Sequence, residues 1–347
     1  EGTTVNSPSE DERIHRGRRQ QIKMQENNRK KYPFFLAMLI LLPVIVYIYI
    51  LEPGQKSEKK LYSVILYQDG ENEWNTLEAG IEQARADAGI MINYVHLEKG
   101  DTAEEEIRAI RKEMNSGTSG ILLASVDSEE LQQKLADEKI TVPLVFVETG
   151  AGDAYPVIRA DDYQMGKMLG KAILEESKSE DVPILILGEK MERDSVQLRY
   201  EGLTDVFKEA GKSDLLRNET GKKMTEILEV IKEVQQEKGK AVALDKYSTE
   251  QTAAVWEEYQ NFSQKMKSRQ SVYGIGNTPT TVNDLDNEKL TALVYQNEFS
   301  MGYQGIMALA EKRSSDWIRA NIGISYHLVT KDTMYEEEHA RLLFPNS

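Results

Sequence analysis

From Tyr62 to Gly276 short aliphatic runs alternate with helical stretches, and this alternation limits the fold more than any other feature of the chain. Tyr62 to Gln68 (YSVILYQ) is read as a first strand. In the next segment, Trp74 to Gly89, Leu77, Ile81, Ala84 and Ala88 fall at helical spacing, and the segment ends on the glycine expected just past a helix. INYVHLE, GILLASVDS, VPLVFVETG, VPILILGE, KAVALD and SVYGIG read as further strands, separated by segments such as AEEEIRAIRKEMNSG, EELQQKLADEKI and TEILEVIKEVQQEKG with helical periodicity. Strand–helix alternation with short connections predicts parallel sheets covered by helices on both faces. The roughly 285 residues involved exceed one such core, so the pattern predicts an α/β protein of two lobes, with a ligand cleft outside the carboxyl ends of the strands.

Before this region, Pro33 to Leu51 (PFFLAMLILLPVIVYIYIL) is an uncharged apolar run of about nineteen residues, enough to span a hydrocarbon core as a helix. Pro43 would kink it, and Tyr32, Tyr47 and Tyr49 suit the headgroup boundaries. Arg16, Arg18, Arg19, Lys23, Arg29, Lys30 and Lys31 precede the run and Glu52 follows it, which predicts a cytoplasmic N-terminus and an extracellular main domain at the cell membrane. A cleaved leader would need small residues where bulky Tyr, Ile and Leu stand, so an uncleaved anchor is favoured. The expected organisation is a basic cytoplasmic tail (1–32), a transmembrane anchor (33–51) and a linker (52–60). Lobe 1 then covers 61–159 with 297–321 returning to it, lobe 2 covers 160–296 with 322–335 returning to it, and a C-terminal tail covers 336–347.

A formal charge of −15 argues against nucleic acid as a partner. The chain has no cysteine, which removes disulfides, thiol nucleophiles, thiolate zinc sites and a lipid-modified cysteine. No two of its histidines, His15, His96, His327 and His339, are at metal-ligand spacing, so neither a metal nor a cofactor is expected. There is no G-x-S-x-G elbow, P-loop or dinucleotide fingerprint, and 58 acidic residues make chance carboxylate pairs common; an enzyme is not expected.

Several segments resemble the sugar-binding branch of the type I periplasmic binding proteins, relatives of the ribose- and galactose-binding proteins and of the lac-repressor ligand domain. ENEWNTLEAGIEQARADAG stands where that family has its first turn and helix, SGILLASVDS is similar to its "DGIIIxPxDS" strand, and VPLVFVETG to its "IPVVxxD" strand. ADDYQMGKMLGKAIL from Ala160 is similar to its "DNyxxG" helix, and Arg199 to Gly202 to its "R..G" helix. The longest match is LTALVYQNEFSMGYQGIMAL, Leu290 to Leu309, beside "lTATVxQxPxxmGyxAvxxa". The resemblance implies two Rossmann-like lobes that close on a small molecule. Together with the anchor it implies a membrane-bound extracellular receptor that closes on a sugar or sugar-like small molecule for ABC-type uptake; sensing beside a membrane histidine kinase is the alternative, and a carbohydrate-active enzyme a remote one.

Carried onto matching positions, the resemblance makes Arg199 a bidentate donor, Gln296 a hydrogen-bonding residue at the hinge edge and Trp74 a stacking platform. Glu148 and Asp245 stand at polar ligand positions, and Asn72 and Asp127 are first-lobe neighbours. Two departures leave the ligand open. VYGIGNTP carries Asn277 where the family has the Asp of "GxDG", and the first turn lacks the family's Pro and second aromatic. A pyranose, a furanose, a modified sugar, a non-sugar ligand or a pocket that binds nothing all fit this set.

Overall fold

The computed structural model describes residues 38–44, 59–177, 180–262 and 271–344. The chain divides into two compact units, one before Lys60 and one from Lys60 onward. In the first unit, 38–44 form a helix (α1) that exposes Met38, Leu39, Ile40, Leu41 and Leu42. The rest of the apolar run, the basic tail and residues 52–58 lie outside the described residues, and among the described ones no helix is long and apolar enough to cross a membrane.

The second unit begins with β1 (Leu61–Leu66), α2 (Asn75–Ala88), β2 (Met91–His96), α3 (Ala103–Asn115), β3 (Ile121–Leu123), α4 (Ser128–Asp137), β4 (Leu144–Val147) and β5 (Val157–Ile158). These strands form an all-parallel sheet in the order β2-β1-β3-β4-β5. Interior β1 buries Val64, Ile65 and Leu66 completely because helices cover both its faces, whereas edge strand β2 is exposed at Met91 and His96.

The chain continues through α5 (Asp162–Glu176), β6 (Ile184–Leu187), α6 (Asp194–Glu209), β7 (Leu216–Asn218), α7 (Leu228–Gln236), β8 (Lys240–Ala243), α8 (Lys246–Phe262), β9 (Val272–Ile275), α9 (Pro279–Asp286) and β10 (Ala292–Gln296). It ends with α10 (Glu298–Ala310), α11 (Ser315–Asn321), β11 (Tyr326–Val329) and α12 (Glu337–Leu343). The second sheet has the order β11-β10-β9-β8-β6-β7, parallel except for β11, which runs antiparallel to β10. Helix α10 leaves this sheet to pack on α2, β3 and β4, so the first lobe is completed by a late segment. The expected α/β fold of two mainly parallel lobes is present. Strands β5 and β7, of two and three residues, are too short to leave a readable sequence pattern.

Each lobe has one very close helix crossing. An added Cβ at Gly80 would sit 2.0 Å from the Phe299 carbonyl oxygen and one at Gly302 2.2 Å from that of Leu77, so α2 and α10 touch backbone to backbone. In the second lobe, α5 and α6 meet in the same way: the corresponding distances are 2.0 Å from Gly166 to Arg199 O and 1.9 Å from Gly202 to Tyr163 O. All four glycines belong to the segments that carry the family resemblance. Their role is therefore packing, and the crossing at Gly166 fixes the height at which Arg199 enters the cleft.

Candidate functional site

The carboxyl ends of β1, β4, β6, β8 and β10 face one cleft between the lobes, and each delivers charged or aromatic side chains into it. After β1 come Tyr67, Asp69, Glu73 and Trp74; after β4, Glu148; after β6, Arg193 and Arg199; after β8, Asp245 and Lys246; after β10, Glu298. All are less than one-tenth exposed.

Three cations of the second lobe reach across to carboxylates of the first. The Arg193 guanidinium donates to Asp69 at 2.6 Å and lies 3.4 Å from the centre of the Tyr67 ring. Arg199 donates to Asp162 of its own lobe at 2.8 Å, to the Leu244 carbonyl at 3.1 Å and across the cleft to Glu148 at 3.2 Å. Lys246 pairs with Glu298 at 2.6 Å, donates to the Glu73 carbonyl at 3.0 Å and rests 4.7 Å from the centre of the Trp74 ring. The Tyr67 hydroxyl donates to Glu148 at 2.7 Å, joining the first two groups.

Charges this deeply buried persist only when paired. Burial by itself would raise Glu148, but Arg199, Lys246 and the Tyr67 hydroxyl outweigh it and hold the carboxyl below its usual range. Burial also works against Arg199, and Asp162 and Glu148 overcome it to keep the guanidinium charged. Burial raises other carboxyls of the cleft even where a cation is close, and Arg159, 3.6 Å from Asp162, joins Arg199 in opposing it there. Burial pushes Glu73 to about 7 despite nearby Lys246, and Asp162 to about 6 despite Arg199.

The expected site residues divide by position. Trp74, Glu148 and Arg199 meet in the buried network, but each is already engaged by the protein: Lys246 covers one face of the Trp74 ring, and its indole N–H donates to the Tyr67 carbonyl. Glu148 adopts φ +61°, a strained conformation for a non-glycine residue, at the point where β4 opens into the cleft. Gln296 accepts a hydrogen bond from the Ala160 N–H at 3.2 Å, beside the crossover between lobes. Asn277, with its amide turned to donate, lies 3.2 Å from Glu298. The other three serve local structure. Asn72 is exposed and accepts from the Asn75 side chain, Asp127 caps α4 through the Glu130 N–H, and Asp245 accepts from the Ser248 N–H and hydroxyl at the start of α8.

Asp69, Glu73, Arg193, Lys246 and Glu298 were not among the expected residues. Glu298 left a signal in the sequence, since the pattern its segment resembles has a proline there. Arg193 left a weaker one in the charged run Glu189 to Asp194. A cavity of about 30 Å³ lies beside the network, between Tyr67 and Asp69 of one lobe and Lys190 and Arg193 of the other. That is room for a water or two, against roughly 300 Å³ and upward for a ligand pocket.

Residues 62–314, most of the chain, match the periplasmic binding protein domain family. The chain belongs to that family. No curated protein matches it in sequence. Among solved structures of this fold, it is similar to GanP, a glucose-galactose binding protein from Geobacillus stearothermophilus, with a TM-score of 0.63 at 17% identity, over 80% of this chain and 100% of that one. It is also similar to a carbohydrate transporter solute binding protein from Agrobacterium radiobacter in complex with D-arabinose, with a TM-score of 0.69 at 20% identity over 82% and 99%. A third similar structure is the XylFII-LytSN complex, with a TM-score of 0.62 at 14% identity over 79% and 98%. This periplasmic binding protein domain thus shares the fold of these solved sugar-binding proteins, and charged residues of its two lobes meet across the cleft between them.

Proposed function

We propose that the chain is a membrane-anchored extracellular receptor that closes its two lobes on a sugar or a sugar-like small molecule for ABC-type uptake. The observation that carries this reading is the convergence of Trp74, Glu148 and Arg199, with Gln296 at the crossover, in one cleft at the carboxyl ends of two parallel sheets. An aromatic face beside forked polar groups is the chemistry that sugar hydroxyls and C–H faces require. The receptor works by binding: Glu148 and Asp162 are held by Arg199, Asp69 by Arg193 and Glu298 by Lys246, so these carboxylates serve to position the cations of the cleft. Closure exchanges some internal ion pairs for contacts to the solute, so affinity equals the new contacts less the pairs given up. The anchor is the apolar run from Pro33 to Leu51, whose helical 38–44 portion exposes leucine and isoleucine, with the basic flank on the cytoplasmic side. A fixed anchor suits, as a second reading, a sensing role beside a membrane kinase, and a domain of this fold has been solved in complex with a second component, as XylFII-LytSN.

The test is thermal unfolding of the full chain in mild detergent against mono- and disaccharides, sugar acids and polyols. A ligand at one hundred times its dissociation constant adds about 2.7 kcal/mol, on the order of 5 to 10 °C in a domain of this size. One such solute should raise Tm in the native chain and lose its effect in Trp74→Ala and Gln296→Ala. A flat response to every solute would overturn the reading.

A further inference from the structure

Outside the cleft network, a second cluster forms where the C-terminal helix meets the edge of the second sheet. His327 lies on β11 in register with Tyr295 of β10, and Glu338 and His339 lie in the first turn of α12. His339 Nε2 is 3.5 Å from Glu338 Oε1, His327 Nδ1 is 4.0 Å from the same oxygen, and the three groups present ligand atoms that all lie within 4.8 Å of one another. The two imidazoles meet edge to face at 5.5 Å.

One Glu338 oxygen thus lies within 4.0 Å of a ring nitrogen of each imidazole, and the three side chains present their ligand atoms to a common point that a cation could occupy. The His339 ring is 6% exposed, and its Nδ1 lies 2.8 Å from the Tyr295 hydroxyl. With the Nδ1 proton donated to that oxygen, the Nε2 lone pair faces Glu338; this is how metal-bound histidines are oriented by their neighbours. We propose that His327, Glu338 and His339 form a three-ligand site for a divalent cation of the zinc type, with water completing the tetrahedron. Two nitrogens and a carboxylate suit zinc, whereas calcium and magnesium prefer all-oxygen sets. Bond lengths of about 2.0 to 2.2 Å place tetrahedral ligands roughly 3.3 Å apart. The site therefore tightens on binding, by rotation of Glu338, whose side chain is 70% exposed, and of His327, which is one-third exposed. His339 stays in place against Tyr295. Because the ligands come from β11 and α12, the cation would fasten the C-terminal helix to the sheet edge.

The experiment is titration calorimetry of Zn2+ into the full, metal-stripped chain in mild detergent, with Mg2+ as the control. Thermal unfolding and the visible absorption of Co2+ are read on the same samples. Expected are one Zn2+ per chain, a Tm rise on the order of 5 °C at saturation and a tetrahedral Co2+ spectrum, with all three lost in His327→Ala and in Glu338→Gln. Both substitutions are at partly exposed side chains, so the folded baseline survives. Zn2+ binding that is absent, or undiminished in both variants, would overturn the site. Because the cleft is untouched, neither result bears on solute binding.

Discussion

Replacing Arg199 by alanine removes one guanidinium from between two carboxylates that have no water to turn to. Its side chain is 1% exposed, those of Glu148 and Asp162 are 5% and 0%, and the Leu244 carbonyl loses its donor as well. Removing one partner of a buried pair costs about 3 to 5 kcal/mol, because the remaining charge stays desolvated. At about 2 to 4 °C per kcal/mol, the loss in Tm should be on the order of 10 °C at about pH 7. The deficit should also depend on pH, with a sign that follows from Asp162. Its carboxyl lies at about 6 in the folded chain against an ordinary 3.8, so the folded state binds the extra proton inside that window and stability from this source falls as pH rises through it. Without Arg199, which opposes the burial, the folded value climbs further and the loss extends to higher pH. Variant and native Tm should therefore differ most at about pH 7 to 8 and converge as both carboxyls protonate toward about pH 5. Differential scanning calorimetry over that range measures it. A deficit below about 1 kcal/mol, as for an exposed pair, or one independent of pH, would mean that the lobes do not bury this network.

Two further outcomes follow from the same contacts. Glu73 lies at about 7 against an ordinary 4.5, so its contribution to stability is lost as pH rises through that window; Glu73→Gln should gain on the native chain by on the order of 3 kcal/mol across it. Parallel melting profiles for the two proteins would refute this. Gly166→Ala places a Cβ 2.0 Å from the Arg199 carbonyl oxygen and should cost about 3 kcal/mol in urea unfolding by forcing α5 and α6 apart, while Gly323→Ala, with open space around it, should be close to neutral. Equal effects would contradict the close crossing.

Much of the architecture was legible because it rests on local regularity. Fully apolar runs such as Ile184–Leu187 announce strands covered on both faces, and Thr102 with Glu105 caps α3 by a rule readable over four residues. The crossing glycines could be placed through the motif segments. The candidate site was only partly legible: Trp74, Glu148 and Arg199 were placed through the resemblance, whereas their partners follow no local period. His327 and His339 were set aside for the same reason, since their proximity depends on α12 folding back against β11.

By itself, the sequence determined the parallel two-lobed α/β fold, the apolar run before it and the family, because period, capping and small-residue motifs act over a few residues or one helix crossing. Only the tertiary structure decided what fills the cleft. Arg193 and Asp69 are 124 positions apart, Arg199 and Glu148 are 51, and Lys246 and the Glu73 carbonyl are 173. Which charge neutralises which is settled when two sheets bring their carboxyl ends together, because buried cations must find carboxylates wherever the chain has placed them.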